Sequence, residues 1–211
     1  MESGIREKKS AKIKLQVLEV TLRLLGKQSF KDLYVDQICE EVKISKVTFF
    51  KYFPQKEDIL LYYLRVWCLE NIIKNSQKPE GVDRIKAIFE SMGNTYEKHP
   101  GLILSLISYI TSNTKPYSPF AFRPIERSLM FPEIENVLDF ELLSIPQMFE
   151  KYLLEAVFLN QIQRNRDTKE LSHLFLSTLY GSIITCHLRQ VDSINVLMKR
   201  NVDVLIKGLN S

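Results

Sequence analysis

The chain has 211 residues, enough for one mid-sized domain or two small ones. Its 45% hydrophobic and 26% charged residues give an ordinary globular balance, which excludes a disordered chain. The net charge of +4 is unevenly placed, because residues 1–56 hold 12 Lys and Arg against 7 Asp and Glu, while the remainder holds 17 against 18. A basic end on a near-neutral body fits a polyanionic partner, and it equally fits a solvated helix with extra lysines. Cys39, Cys68 and Cys186 fit no disulfide framework and no metal spacing, so each reads as a small core residue. The polar start MESGIREKKSAKIK carries no signal segment, and no run of 18 apolar residues occurs. A cytoplasmic chain with no membrane span is expected.

Seven glycines and apolar residues at helical spacing predict an all-α fold of about nine to ten helices. Residues 8–26 carry Ile13, Leu15, Val17, Leu18, Leu22, Leu24 and Leu25, an amphipathic helix with Gly26 as its stop. In YVDQICEEV, Val35, Ile38, Cys39 and Val42 form the stripe of one helical face. KIS then breaks the chain, and Ser45 is placed to cap the short helix KVTFFKYF, which stops at Pro54. The next helix is expected from about Lys56 to Asn75, with Glu57 and Asp58 in its first turn, where acids are favoured. QKPEG is a turn, 82–98 a helix, His99-Pro100 a break, and LILSLISYI an apolar helix to about Asn113. Residues 114–146 contain five prolines and only short helical pieces, followed by the helix MFEKYLLEAVFLNQI and two last helices near 168–189 and 193–209.

Two short helices in series around a three-residue turn make a helix-turn-helix, a motif whose second helix enters the DNA major groove. Ile38, Val42, Ile44, Phe49 and Phe53 would bury one side. Lys46, Val47, Thr48, Lys51 and Tyr52 would stay outside, with lysines for phosphates and Thr, Val and Tyr within reach of base edges, the thymine methyl or the backbone. Lys56 would meet a phosphate at the next helix start. Any small helical protein can show two such helices, so spacing by itself leaves a plain structural role open.

The stretch FKDLYVDQICEEVKISKVTFFKYFPQKEDIL resembles the N-terminal region of TetR-family transcriptional repressors. The matches are Phe30, Val35, Ile38, Val42, Ser45, Phe49, Tyr52, Phe53, Lys56, Glu57 and Ile59. Lys43 stands where the family usually has a turn glycine, Val47 replaces another common glycine, and Phe50 replaces a tyrosine whose hydroxyl commonly meets a phosphate. The resemblance implies a DNA-binding domain over 1–55 and a helical ligand-binding and dimerisation domain over 56–211. By position it assigns DNA contact to Tyr34, Val35, Ser45, Lys46, Val47, Thr48, Phe50, Lys51, Tyr52 and Lys56.

The same resemblance implies an effector cavity in the helical body, where Trp67, Phe89, Met92, Tyr96, Tyr109, Phe149 and Tyr152 are the aromatic and sulfur-bearing candidates. Ser105, Ser108, Tyr109 and Asn113 would supply hydrogen bonds to a small hydrophobic or aromatic effector; as single residues all are ordinary core types. The last two helices carry Leu174, Leu176, Leu179, Ile183 and Ile184, then Ile194, Leu197, Val202, Leu205 and Ile206, with Gly181 and Ser182 permitting close approach. They are too apolar for one covered side, so a homodimer through a four-helix bundle is expected. His99, His173 and His187 have no metal spacing, and no phosphate loop or nucleophile elbow occurs, so no enzyme, metal or cofactor is expected. The expected function is a homodimeric repressor bound to an inverted-repeat operator and released by its effector. The alternative is a helical protein-interaction module with a vestigial helix-turn-helix; a small-molecule enzyme is third.

Overall fold

A computed structural model describes residues 2–25, 29–112, 120–163 and 167–210. Gly26 as a helix stop, Asn113 as a polar ligand group, and Pro116 and Pro119 lie outside the described residues. The described residues form ten helices and no strand: α1 Glu2–Leu25, α2 Val35–Val42, α3 Lys46–Tyr52, α4 Asp58–Ser76, α5 Val82–Lys98, α6 Pro100–Ser112, α7 Pro124–Met130, α8 Ile145–Phe158, α9 Thr168–Arg189 and α10 Ile194–Leu209. None is long and apolar enough to cross a membrane. α1 starts several residues before the apolar period that marked it in sequence. Its first turns are mostly Glu, Arg and Lys, good helix formers that need no buried face. α8 likewise starts early, because Pro146 sits in its first turn, where a missing N–H is harmless.

Packing divides the chain into two compact units, Met1–Trp67 with His99–Glu141, and Cys68–Lys98 with Leu142–Ser211. These units do not coincide with a division at residue 55: α4 begins in one and ends in the other, and α6 and α7 pack within the first.

In the first unit α1 packs on α2 and α7, and α2 on α3. Val17, Ile38, Phe49, Phe53, Ile59 and Tyr62 are fully buried there. Each large apolar side chain so buried contributes about 1.5–3 kcal/mol. α1 and α7 are also joined through a buried ion pair, Lys14 Nζ to Glu126 Oε1 at 2.8 Å. The Lys14 ammonium lies against the rings of Tyr62 and Phe120, 5.4 and 5.2 Å from their centroids. A charge pair that deep persists only when its remaining bonds are satisfied. Glu126 Oε2 accepts from the Arg123 amide at 3.2 Å.

In the second unit α5 packs on α8 and α10, and α9 on α8 and α10. Phe89, Phe149 and Phe175 meet at its centre with ring centroids 5.8–6.3 Å apart. The turn before α5 docks on the end of α8: Gly81 N–H donates to Glu155 at 3.1 Å and Val82 N–H to Gln161 at 2.9 Å. Gly81 has φ 77 and lies against the Ala156 backbone, so both its backbone angle and its space require glycine.

Candidate nucleic-acid interface

α2 is short, and its two ends are built differently. At its start the Gln37 side-chain Oε1 accepts from the Tyr34 backbone amide at 2.8 Å. At its end Lys43 turns the chain with φ 59, and Ile44 N–H closes back on the Cys39 carbonyl at 3.0 Å. This is the left-handed helix ending that glycine usually supplies. Ser45 then caps α3, its hydroxyl accepting from the Thr48 amide at 3.2 Å.

Phe49 and Phe53 are fully buried, four residues apart on the inner face of α3. That fixes where the other side chains stand. Val47 and Lys51 are opposite the buried face, and Val47 is 81% exposed. Lys46 and Phe50 lie on the flank toward α2, where Lys46 pairs with Asp36 of α2 at 2.7 Å. Both partners are well exposed, so the pair adds little stability and a phosphate can displace the carboxylate. Phe50 is 45% exposed and meets Phe49 edge-on at 5.3 Å. Thr48 and Tyr52 form the opposite flank. Tyr34 is exposed at the start of α2 and Val35 half-buried.

Ser45, Lys46, Val47, Thr48, Phe50, Lys51 and Tyr52 thus belong to one short helix and its cap, around an outer face with no acidic residue of its own. Lys56 departs from the sequence expectation. It does not open α4, whose first residue is Asp58. Its ammonium donates to the carbonyls of Phe30 at 2.9 Å, Leu33 at 3.0 Å and Lys31 at 3.3 Å, and lies 4.8 Å from the Phe30 ring centroid. An ammonium has three donors, so a phosphate at Lys56 must compete with bonds that hold the turn ahead of α2.

The candidate effector residues divide between the units. Trp67, Ser105 and Tyr109 belong to the first, where the Tyr109 hydroxyl donates to Gln55 at 3.4 Å. Phe89, Met92, Tyr96, Phe149 and Tyr152 belong to the second and are buried. Burial pushes the Tyr96 and Tyr152 phenols up; the nearby Asn75 side chain and the charge of Arg84 partly offset this at Tyr152. Phe89 also borders an open cleft of about 430 Å³ between α5 and α10. Its rim is polar, with Asn195 donating to Asn94 at 3.0 Å and Lys86 paired with Asp203 at 2.7 Å.

Along α9, Leu174, Ile184 and Leu188 are exposed, and among the described residues no neighbouring atom lies within 4 Å of a β-carbon placed at Gly181. Leu174, Gly181 and Leu188 recur every seven residues and so share one face. Leu179 and Ile183 point inward, and Leu176, Leu205 and Ile206 are half-buried. The outward side of α9 thus carries Leu174, Ile184 and Leu188 beside the exposed Ser177 and Thr185, and α8 exposes Leu154 and Phe158.

Three groups stand beside α3 that the sequence pattern did not single out. Arg6 and Lys9 of α1 and Arg123 ahead of α7 line, with Lys51, a cleft of about 780 Å³. Arg123 is 72 positions from Lys51 in the chain, so no periodicity could join them.

Residues 17–63 match the model of the bacterial regulatory proteins of the tetR family. Comparison with curated protein sequences gives no match. Among solved structures, the chain is similar to Thermus thermophilus FadR, described as a TetR family transcriptional repressor in complex with lauroyl-CoA. The TM-score is 0.64 at 14% identity, over 93% of this chain and 94% of that one. It is also similar to the transcriptional regulator FadR from Bacillus subtilis in complex with stearoyl-CoA, with a TM-score of 0.60 at 13% identity over 92% and 98%. A TetR transcriptional regulator from a Rhodococcus species gives 0.61 at 13% identity over 94% and 97%.

Proposed function

We propose that this chain, which carries a TetR-family N-terminal domain over residues 17–63 within the fold of solved TetR-family regulators, is a homodimeric transcriptional repressor. It binds an inverted-repeat operator through α3 and is released by a small apolar effector. The observation that carries the reading is the division of α3 into a fully buried phenylalanine side and an exposed side bearing Lys46, Val47 and Lys51, with Thr48 half-buried on its flank. Lysines positioned this way hold phosphates, and the Val47 methyls suit a thymine methyl. In this reading residues 1–55 are the DNA-binding domain and 56–211 the effector-binding and dimerisation domain.

Two similar regulators are described with acyl-CoA ligands, and the second unit holds a dense aromatic core around Phe89, Phe149 and Tyr152. The mechanism is a population shift: an effector that favours a form unable to span both half-sites lowers operator affinity by its differential binding energy.

Selection of bound sequences from a random duplex pool tests the reading, with an inverted repeat expected. Against the recovered duplex, Lys46→Ala with Lys51→Ala should reduce affinity at least tenfold and flatten its salt dependence, since each lost phosphate contact removes about 0.9 from the slope. Unchanged affinity in a folded double variant would show that α3 is not the DNA-reading helix. The exposed Val47 and Phe50 favour a second reading, a protein-interaction module on the same helix. Such a module would bind little duplex at any salt.

A further inference from the structure

We infer that the cleft between the start of α1, the Thr48 and Tyr52 flank of α3 and the segment ahead of α7 seats a backbone phosphate of duplex DNA, with Arg123 supplying a contact from outside the helix-turn-helix. The inference rests on the DNA-binding reading above and extends it to a residue beyond the 17–63 match.

The cleft is about 780 Å³ and is lined by Arg6, Lys9, Lys51 and Arg123, with Glu7 as its one acid among the described residues. Lys14 at its base is already neutralised by Glu126. Four cations facing one carboxylate leave an uncompensated positive cleft, and low-dielectric walls concentrate such a field. The Thr48 and Tyr52 side chains add hydroxyl donors at the wall.

The position of Arg123 is fixed rather than incidental. Its amide donates to Glu126 Oε2 at 3.2 Å, while the other oxygen of that carboxylate receives Lys14 of α1 at 2.8 Å. Arg127, one turn further along α7, donates to the carbonyls of Val137 at 2.6 Å and Phe140 at 2.5 Å. A single buried carboxylate therefore ties the backbone of Arg123 to α1, which packs on α2, which packs on α3.

The geometry selects a duplex phosphate over a free small anion. A small-anion site converges buried donors on one point, whereas here all four cations are exposed around an open mouth. Lys51 belongs both to this cleft and to the outermost line of α3. A helix seated in the major groove has phosphates along both flanks, and the cleft lies along one of them.

The test measures affinity of the full chain for its selected duplex by fluorescence anisotropy over a series of salt concentrations. Arg123→Ala should weaken binding and lower the slope of log affinity against log salt by about 0.9 per protomer. Arg123→Lys should restore most of that slope, because charge rather than packing is at stake. Arg6→Ala with Lys9→Ala, on a different element, should act in the same direction. An Arg123→Ala slope equal to wild type overturns the inference while leaving the DNA reading intact. A wild-type chain that binds no duplex at any salt overturns both. Calorimetric binding of inorganic phosphate that depends on Arg123, with the duplex slope unchanged, would make this a small-anion site and also overturn it.

Discussion

Lys43 ends α2 with φ 59, a backbone conformation that L-residues adopt at a cost of about 1–2 kcal/mol and glycine adopts freely. Lys43→Gly should therefore raise stability by about 1 kcal/mol in urea or thermal melts, and it should remove one cation beside α3. A gain in melting temperature together with weaker duplex binding would mean that the lysine is held there for its charge. Tyr62 is another residue whose environment dictates its chemistry. Burial, and then the neighbouring Glu126 carboxylate, push its phenol well above the ordinary range. The unfolded phenol ionises near pH 10. A raised folded value means the native state keeps its proton where the unfolded state loses it, so the stabilisation is complete below about pH 10 and falls as pH rises. For one group that loss is about 1.4 kcal/mol per pH unit. Tyr62→Phe should show a shallower loss of stability between pH 10 and 11 than wild type, in melts at matched ionic strength. An identical alkaline slope would mean that Tyr62 ionises as freely in the folded chain as in the unfolded one.

α3 has seven residues, shorter than a helix that holds itself together in water. Its stability comes from Ser45 at one end and from Phe49 and Phe53 underneath. Ser45→Ala should cost about 1 kcal/mol. Ser45→Asp keeps an acceptor at the helix start and should preserve stability, yet it sets a carboxylate against the duplex and should lower affinity. Melts and anisotropy on the two variants separate the cap from the contact; equal affinity for Ser45→Asp and wild type would place Ser45 away from DNA. Elements of this kind were legible in the sequence because their signals are local: a cap residue, a three-residue break, two aromatics four apart. The helices from α5 onward were legible for the same reason, through periodicity and breakers such as His99-Pro100. The carbonyls that hold Lys56 lie 23–26 residues away, and Arg123 reaches α3 only through folding. No local pattern encodes either. The aromatics of the body were legible as types but not as places, since a core and a ligand cavity draw on the same side chains. They divide between two units.

Two-fold assembly through α9 follows from what that helix leaves exposed. Leu174, Ile184 and Leu188 stand exposed around an open Gly181, and Leu188 is 72% exposed. A helix that buries Leu179 and Ile183 on one side and exposes Leu174, Ile184 and Leu188 on the other presents apolar surface that water disfavours. A second copy of the same face is self-complementary about a two-fold axis, with glycine allowing the backbones to approach. Pairing matters for DNA because half-sites one turn apart, about 34–36 Å, need two recognition helices held together. Linking two binding events raises affinity by roughly 10²–10⁴ without any new contact. Ile184→Glu with Leu188→Glu should therefore yield a folded monomer in sedimentation analysis. It should lose most of its affinity for the inverted repeat while keeping the weak affinity of one chain for one half-site. A double variant that sediments as a dimer would move the interface elsewhere, with Leu154 and Phe158 of α8 as the next apolar face to test. A monomer that keeps full operator affinity would break the link between pairing and DNA recognition.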